Sequence, residues 1–184
     1  MTILFIHSAG EQGGDHGSSH LADYIKDSLG SGFKMKFPEM PDPENPIYKK
    51  WKEAISEVME TLDGPLILIG HSLGGSILLK YLSDEKCDKP IKALFLIAVP
   101  FWGKKDWEIE EFLLEPGFEE KIKTIPDIFL YHSQDDKWVP FSHLIQYAKK
   151  LPEAGTRKIE GAEHEFFYGL PELIADIKSI TDNG

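Results

Sequence analysis

The stretch Leu66-Ile67-Leu68-Ile69-Gly70-His71-Ser72-Leu73-Gly74-Gly75 joins four apolar residues to a turn rich in glycine. Four consecutive apolar residues predict a strand buried on both faces, as in the centre of a parallel sheet. The pentapeptide from Gly70 to Gly74 fits G-x-S-x-G, and a helical pattern begins at about Leu73. A strand, a sharp turn carrying a serine and a helix together form a nucleophile elbow. We therefore expect Ser72 to lie above the carboxyl end of a central strand.

Glycines flank this serine because side chains on either side of so sharp a turn would collide. Gly70 and Gly74 provide the clearance, and Gly75 extends it. The positive end of the following helix would help to stabilise an oxyanion formed beside Ser72. A simpler interpretation is that Ser72 only caps that helix.

Short apolar runs alternate with amphipathic segments about six times along the chain. The runs predict strands at Ile3–Ile6, Phe33–Phe37 (near an edge), Leu66–Ile69, Ala93–Val99, Asp127–His132 and Thr156–Ile159. One helix is predicted to run from a cap at Ser18 or Ser19 to Leu29. A second is predicted to have Asn45 as its cap and Pro46 as its first residue, and to end at about Leu62. Further helices are predicted at Leu73–Leu82, Phe141–Leu151 and Pro171–Ile180. This alternation predicts an α/β protein with a doubly wound, mostly parallel six-stranded sheet and helices on both faces.

Length and composition limit the classes of function. A chain of 184 residues predicts one domain spanning residues 1–184. The net charge of −11 argues against nucleic acid and anionic membranes as partners. A single cysteine, Cys87, excludes an internal disulfide and a multi-cysteine zinc site. The first ten residues have neither the basic region nor the apolar length of a signal peptide, so we expect a cytoplasmic protein.

A serine nucleophile needs a histidine base and an acid that orients the base. In this architecture the chain order is serine, acid, histidine. The stretch His132-Ser133-Gln134-Asp135-Asp136 follows one predicted strand, and Gly161-Ala162-Glu163-His164 follows the last. Either Asp135 or Asp136 could be the acid. We expect His164 to be the base, with His7, His71, His132 and His143 as weaker candidates.

The oxyanion hole and the substrate pocket are expected in the loops at the same edge of the sheet. One backbone N–H should come from Leu73 and the other from the loop after the first strand, at Ala9 or else Ser8. Aromatic residues in these loops predict an apolar substrate pocket and favour an uncharged ester of modest size. They are Phe101, Trp102, Trp107, Trp138 and Phe166. The first three belong to a short aromatic excursion, residues 101–118, expected over the site, with one short helix at about Glu108–Leu114.

These motifs resemble the α/β-hydrolase superfamily, and the short chain resembles its small serine hydrolases, typified by retinoblastoma-binding protein 9. In that superfamily the acid often stands four residues before a Val-Pro proline, which favours Asp136 over Asp135. The resemblance implies a minimal fold with little or no lid, and no cofactor. It implies a carboxylesterase-like hydrolase (EC 3.1.1) that acts on a small-molecule ester or acyl substrate through Ser72, His164, Asp136 and an acyl-enzyme.

Other functions fit parts of the sequence. A protein-binding module that retains the hydrolase fold is the main alternative, with a protein as its partner. The glycines at 10, 13, 14 and 17 suggest a nucleotide site, but their spacing is not G-x-G-x-x-G. Asp15, His16 and His20 are a weak candidate metal site because the predicted helix cap separates the two histidines.

Overall fold

The computed structural model describes residues 1–85 and 87–182, and all strand pairs found there are parallel. Within these residues the strands are β1 Thr2–Ile6, β2 Lys34–Lys36, β3 Leu66–His71, β4 Ile91–Ile97, β5 Asp127–Ser133 and β6 Gly155–Ile159. They form one sheet in the order β2-β1-β3-β4-β5-β6. The prediction of a mostly parallel six-stranded sheet is confirmed, with parallel pairing throughout. The edge strand β2 carries two exposed lysines, Lys34 and Lys36, which discourage pairing with another sheet.

Helices provide the crossover connections that parallel strands require. Those described are α1 Ser19–Leu29, α2 Tyr48–Glu60, α3 Leu73–Asp84, α4 Phe118–Ile122, α5 Ser142–Lys150 and α6 Pro171–Asp182. Single turns of 3₁₀ helix lie at Gly30–Gly32 and Glu110–Phe112. No helix in the described ranges is both long enough and apolar enough to cross a membrane.

Two hydrophobic cores lie on opposite faces of the sheet, which confirms the predicted helices on both sides. Ile3 and Phe5 of β1 pack in one core with α1 and α6. Leu4 and Ile6 of the same strand pack in the other core with α2, α3 and α5. Because successive side chains point to opposite faces, a strand covered on both sides has to be apolar at every position.

The predicted start of α2 at Asn45-Pro46 is wrong. The Asn45 N–H instead donates to the carbonyl oxygen of Asp42 within a turn, at 3.0 Å. The helix begins at Tyr48, whose N–H donates to the Glu111 carboxylate at 2.7 Å. Glu111 belongs to the 101–118 excursion, so a long-range contact satisfies the helix start that Asn45 was expected to cap.

The excursion after β4 also differs from its prediction. A short helix around Glu108–Leu114 was expected, whereas only the 3₁₀ turn at Glu110–Phe112 forms. Helix α4 begins where the excursion ends, at Phe118, and it was not predicted. Phe118 and Ile122 are buried against the core that contains α3. Five residues are too short for the periodicity of a helix to stand out in a sequence.

Candidate active site

Ser72 lies at the junction of β3 and α3 with a backbone φ of 52° and ψ of −122°. A positive φ is strained for any residue with a side chain, and nucleophile elbows hold serine in this way. A Cβ on Gly74 would collide with the carbonyl oxygens of Ile6 and His7, and one on Gly70 with the backbone of Gly75. Along the described α3, the Ser72 hydroxyl makes no capping hydrogen bond. The geometry therefore matches an elbow and not the capping interpretation.

Asp136 and His164 are in direct contact. His164 Nδ1 lies 2.7 Å from Asp136 Oδ2, and the Asp136 side chain has no exposed surface. The other carboxylate oxygen, Oδ1, accepts hydrogen bonds from the N–H groups of Trp138 at 2.8 Å and Val139 at 2.9 Å. Burial alone would raise the pKa of Asp136, but the hydrogen bonds from His132, His164 and Val139 outweigh it and hold that pKa well below its usual range. The carboxylate is therefore ionised beside the imidazole.

A second histidine, His132, also contacts this carboxylate. Its Nε2 lies 3.2 Å from Asp136 Oδ2 and 2.8 Å from the Val139 carbonyl oxygen. Because both oxygens only accept, Nε2 carries the proton and donates to them. His132 thus donates a hydrogen bond to the proposed acid. This role differs from that of general base, for which His132 was a weak candidate.

His71 links the elbow to the histidine loop, and its side chain is fully buried. Its Nε2 is 2.9 Å from the His164 carbonyl oxygen, so Nε2 carries a proton and donates it there. Its Nδ1 then accepts from the Ser18 hydroxyl at 2.8 Å. Burial lowers the pKa of His71 to about 3, so the ring is neutral. Ser18, one of the two predicted caps, is the N-cap residue of α1, but its hydroxyl makes these tertiary contacts and no capping hydrogen bond.

In the loop after β1, two backbone N–H groups near the site are already bonded. The Ser8 N–H donates to Ser18 Oγ at 2.9 Å, and the Gly10 N–H donates to the Pro43 carbonyl oxygen at 2.8 Å. Between them lies Ala9, whose N–H has no hydrogen-bond acceptor in the part of the chain that the structure describes. The N–H of Leu73 opens α3 and therefore has no acceptor within that helix. The arrangement favours Ala9 over Ser8 as the partner of Leu73.

A pocket of about 480 Å³ opens at this edge of the sheet. Ser72, His164, Ala9 and Leu73 all line it. Three of the predicted aromatic residues also line it, namely Trp102, Trp107 and Trp138. Ile109 and Phe112 complete the apolar wall and were not predicted. One sequence feature could have identified them. They are two apolar residues, three positions apart, in an otherwise acidic segment of the excursion.

The structure does not bring Phe101 or Phe166 into this lining, although both were predicted there. The Phe101 ring packs edge-on against Tyr147, with centroids 4.9 Å apart, on the side facing α5. Phe166 is completely buried in the core of the opposite face, with α1 and α6. A loop residue can turn inward as easily as outward, so position after a strand was insufficient to predict either orientation.

The remaining candidates lie outside the Asp136–His164 contact. Asp135 is exposed and bonds to the Ser133 hydroxyl and, at 3.3 Å, to the Glu163 N–H. His143 Nδ1 accepts from the Phe101 N–H at 2.7 Å. His7 is buried against the Phe37 ring, with centroids 3.6 Å apart. Burial lowers the pKa of His7 to about 4.

The weak candidate metal site at Asp15, His16 and His20 does not assemble. His16 Nδ1 lies 3.5 Å from a carboxylate oxygen of Glu11, whereas His20 packs against the ring of Phe167. Across residues 1–85 and 87–182, no group of three or more His, Cys, Asp and Glu side chains is placed to hold a metal ion.

Comparisons with known proteins match both the sequence and the fold. A family model described as serine hydrolase matches residues 5–164. The protein YdeN of Bacillus subtilis (strain 168) is 24% identical over 166 residues, which cover 87% of each chain. The crystal structure of the B. subtilis ydeN gene product has a TM-score of 0.83 at 22% identity and 98% coverage of both chains.

Two further solved structures share the architecture. Est1E from Butyrivibrio proteoclasticus has a TM-score of 0.71 at 17% identity, over 99% of this chain and 87% of its own. Alpha/beta hydrolase domain-containing protein 10 from mouse has a TM-score of 0.64 at 15% identity, over 99% of this chain and 90% of its own. At these identities the likeness concerns the fold, which is the α/β-hydrolase fold.

Proposed function

The chain belongs to the serine hydrolase family, and from that membership we propose that it cleaves carboxylic esters through an acyl-enzyme formed on Ser72. One observation carries the proposal. His164 Nδ1 lies 2.7 Å from the buried carboxylate of Asp136, in the loop beside a pocket that both Ser72 and His164 line. In the proposed mechanism these three residues are nucleophile, base and acid.

The contact between Asp136 and His164 sets the tautomer of the base. A carboxylate only accepts hydrogen bonds, so Nδ1 of His164 carries the proton and Nε2 presents a lone pair. Nε2 takes the hydroxyl proton as Ser72 Oγ bonds to the ester carbonyl carbon. The Asp136 carboxylate then stabilises the imidazolium that forms, without taking its proton.

The carbonyl oxygen becomes an oxyanion in this step. The N–H groups of Leu73 and Ala9 are its proposed donors, each contributing about 3 kcal/mol to the transition state. His164 next donates its proton to the leaving oxygen, and the alcohol departs from the acyl-enzyme. Water then adds to the acyl carbon with His164 as base, and the carboxylic acid leaves as Ser72 Oγ regains its proton.

The pocket supports a substrate of modest size. Its volume of about 480 Å³ falls within the usual range for small-molecule sites. The indole rings of Trp102 and Trp107 and the side chain of Phe112 provide an apolar wall for the acyl chain or the leaving group. All three residues belong to the excursion of residues 101–118, so that segment forms this wall of the pocket.

A fluorophosphonate probe and short-chain p-nitrophenyl esters test the proposal. The wild-type protein should be labelled and should hydrolyse p-nitrophenyl acetate and butyrate, whereas Ser72→Ala should lose both properties. Ser56→Ala is a matched control, because Ser56 lies on α2 outside the pocket. Persistent labelling of Ser72→Ala would refute the nucleophile assignment. Absence of labelling and turnover in the wild type would favour the protein-binding alternative.

A further inference from the structure

Glu165 follows the proposed base in the chain and lines the same pocket as Ser72 and His164. Its side chain is half-buried, and its Oε2 atom is fully buried. No hydrogen-bond partner for Oε2 exists among residues 1–85 and 87–182. Burial raises the pKa of this carboxyl group, with the Asp136 charge adding to the effect and His164 opposing it. The mechanism above does not use this group.

A buried carboxylate oxygen that no group of the protein pairs leaves its hydrogen-bonding capacity to whatever enters the pocket. A cationic ligand is the partner that an ionised carboxylate binds most strongly. Such a ligand requires that the rest of the pocket also accept a cation.

The other walls of the pocket suit a cation. Three indole rings line it, and an indole face attracts an ammonium or alkylammonium group more strongly than other aromatic side chains do. Two of the rings are held in place by the protein itself. Trp102 Nε1 donates to Ser76 Oγ at 2.9 Å, and its ring lies 5.3 Å from that of Trp107. Trp138 is 74% exposed at the surface.

The surroundings of the pocket are acidic. The excursion of residues 101–118 contains two lysines and five acidic residues, and the whole chain carries a net charge of −11. Lys137, which precedes Trp138 in the chain, is paired with Glu163 at 3.2 Å. A negative potential of this kind raises the local concentration of positively charged substrates.

We propose that Glu165, together with the indoles of Trp102, Trp107 and Trp138, binds a positively charged alkylammonium group of the substrate. This inference rests on the proposed esterase function and specifies its substrate class. It replaces the expectation of an uncharged ester, because that expectation was based on the aromatic residues alone and did not include Glu165. Glu165 is then a specificity-determining residue, and the Ser72 chemistry is the same for neutral esters.

Pairs of esters with the same shape and different charge test the inference. One pair places the charge in the acyl group: the p-nitrophenyl esters of 4-(trimethylammonio)butanoate and of 5,5-dimethylhexanoate. The second pair places it in the leaving group: acetylthiocholine and S-(3,3-dimethylbutyl) thioacetate. The quantity measured is the ratio of kcat/KM for the cationic and the neutral member of each pair. In the wild type we expect the ratio to favour the cation by about tenfold or more in at least one pair.

Glu165→Gln and Glu163→Gln form a matched pair of variants. Each removes one negative charge from the same loop, but Glu163 pairs with Lys137 and does not line the pocket. We expect Glu165→Gln to lower the ratio by about tenfold and Glu163→Gln to leave it as in the wild type. Intrinsic differences in ester reactivity cancel in this comparison. Equal ratios in the wild type and Glu165→Gln would overturn the inference while leaving the esterase proposal intact.

A binding experiment separates the inference from the esterase proposal. Tetramethylammonium chloride is titrated into Ser72→Ala protein, with sodium chloride as the ionic-strength control, and tryptophan fluorescence is recorded. We expect a saturable change that Glu165→Gln weakens by about tenfold. Saturable, Glu165-dependent binding supports the cation site even if no ester is hydrolysed. The lack of any change beyond that of sodium chloride refutes it.

Discussion

The imidazole of His71 donates a hydrogen bond of 2.9 Å from Nε2 to the backbone carbonyl oxygen of His164. His71 directly precedes the proposed nucleophile, Ser72. It thereby holds the proposed base, His164, 93 positions further along the chain. The same ring accepts from Ser18, whose oxygen accepts from the Ser8 N–H. One buried chain of hydrogen bonds thus connects the loops that carry the nucleophile, the base and the proposed oxyanion donor Ala9.

The first prediction concerns His71 itself. His71→Leu leaves the His164 carbonyl oxygen without its donor, so we expect the free energy of unfolding to fall by about 1–3 kcal/mol and kcat to fall more than KM changes. His71→Gln places an amide donor near the position of Nε2 and should restore part of kcat. Urea unfolding and p-nitrophenyl butyrate kinetics measure these effects. If the two variants lose the same kcat, the hydrogen bond does not position His164.

The second prediction compares two adjacent buried serines. Ser18→Ala removes partners from the Ser8 N–H and from His71 Nδ1, and we expect it to cost about 1–3 kcal/mol of stability. Ser19 Oγ is buried and has no hydrogen-bond partner among the described residues. Ser19→Ala should therefore be neutral or stabilising. Similar losses in urea unfolding for both variants would contradict the role of Ser18 in the network.

The third prediction distinguishes the two candidate acids. Asp136→Asn can no longer hold the His164 tautomer with Nδ1 protonated, so we expect kcat to fall by about 10³- to 10⁴-fold. Asp135→Asn affects an exposed side chain that accepts from Ser133 and from the Glu163 N–H, outside the Asp136–His164 contact, and we expect less than about a threefold change. Ester hydrolysis by purified, folded variants measures both values. The reverse order would assign the acid to Asp135.

The fourth prediction concerns stability at acidic pH. The pKa of His7 is lowered to about 4 in the folded protein, whereas an unfolded chain binds a proton near the ordinary value of about 6.5. The unfolded state therefore binds more protons between these values, and stability falls as the pH is lowered through this window. The loss attributable to His7 between pH 7 and pH 5 is about 2 kcal/mol.

His7→Phe tests this pH dependence. Phenylalanine can stack on Phe37 and removes two buried ring nitrogens that have no hydrogen-bond partner in the described residues. We expect urea unfolding of this variant to show a smaller loss of stability between pH 7 and pH 5. His16→Gln removes an exposed histidine and should retain the wild-type loss. An unchanged loss in His7→Phe would show that other groups cause the acid sensitivity.

Much of the fold could be predicted because burial on both faces imposes a continuous apolar pattern. The run Leu66 to Ile69 is such a segment, and G-x-S-x-G directly after it is restricted to few geometries. The order of Ser72, Asp136 and His164 could be read because parallel strands end at the same edge of the sheet, so the loops after them lie close together. Local periodicity and chain order contain this information.

Other parts of the site depend on contacts that no local pattern reports. Ser18 occupies the N-cap position of α1, as one of the two predicted caps, but its hydroxyl bonds to His71, 53 positions away, which no local pattern indicates. The choice between Ser8 and Ala9 depends on which N–H is already satisfied, and that followed only from the position of Ser18. Phe166 lies in the core that the sheet forms with α1 and α6, and its position in the chain does not indicate that burial.

The amino-acid sequence alone determined the α/β class, the elbow at Ser72 and the positions from which an acid and a histidine could reach it. These features follow from periodicity, from glycine's small size and from the direction of parallel strands. The tertiary structure alone decided which groups are paired and which are not. It joined His71 to His164, left the Ala9 N–H and Glu165 Oε2 without a hydrogen-bond partner in residues 1–85 and 87–182, and placed Glu165 in a pocket that three tryptophans also line. Hydrogen-bond partners and desolvation depend on distances between residues far apart in the chain, and only the folded packing sets those distances.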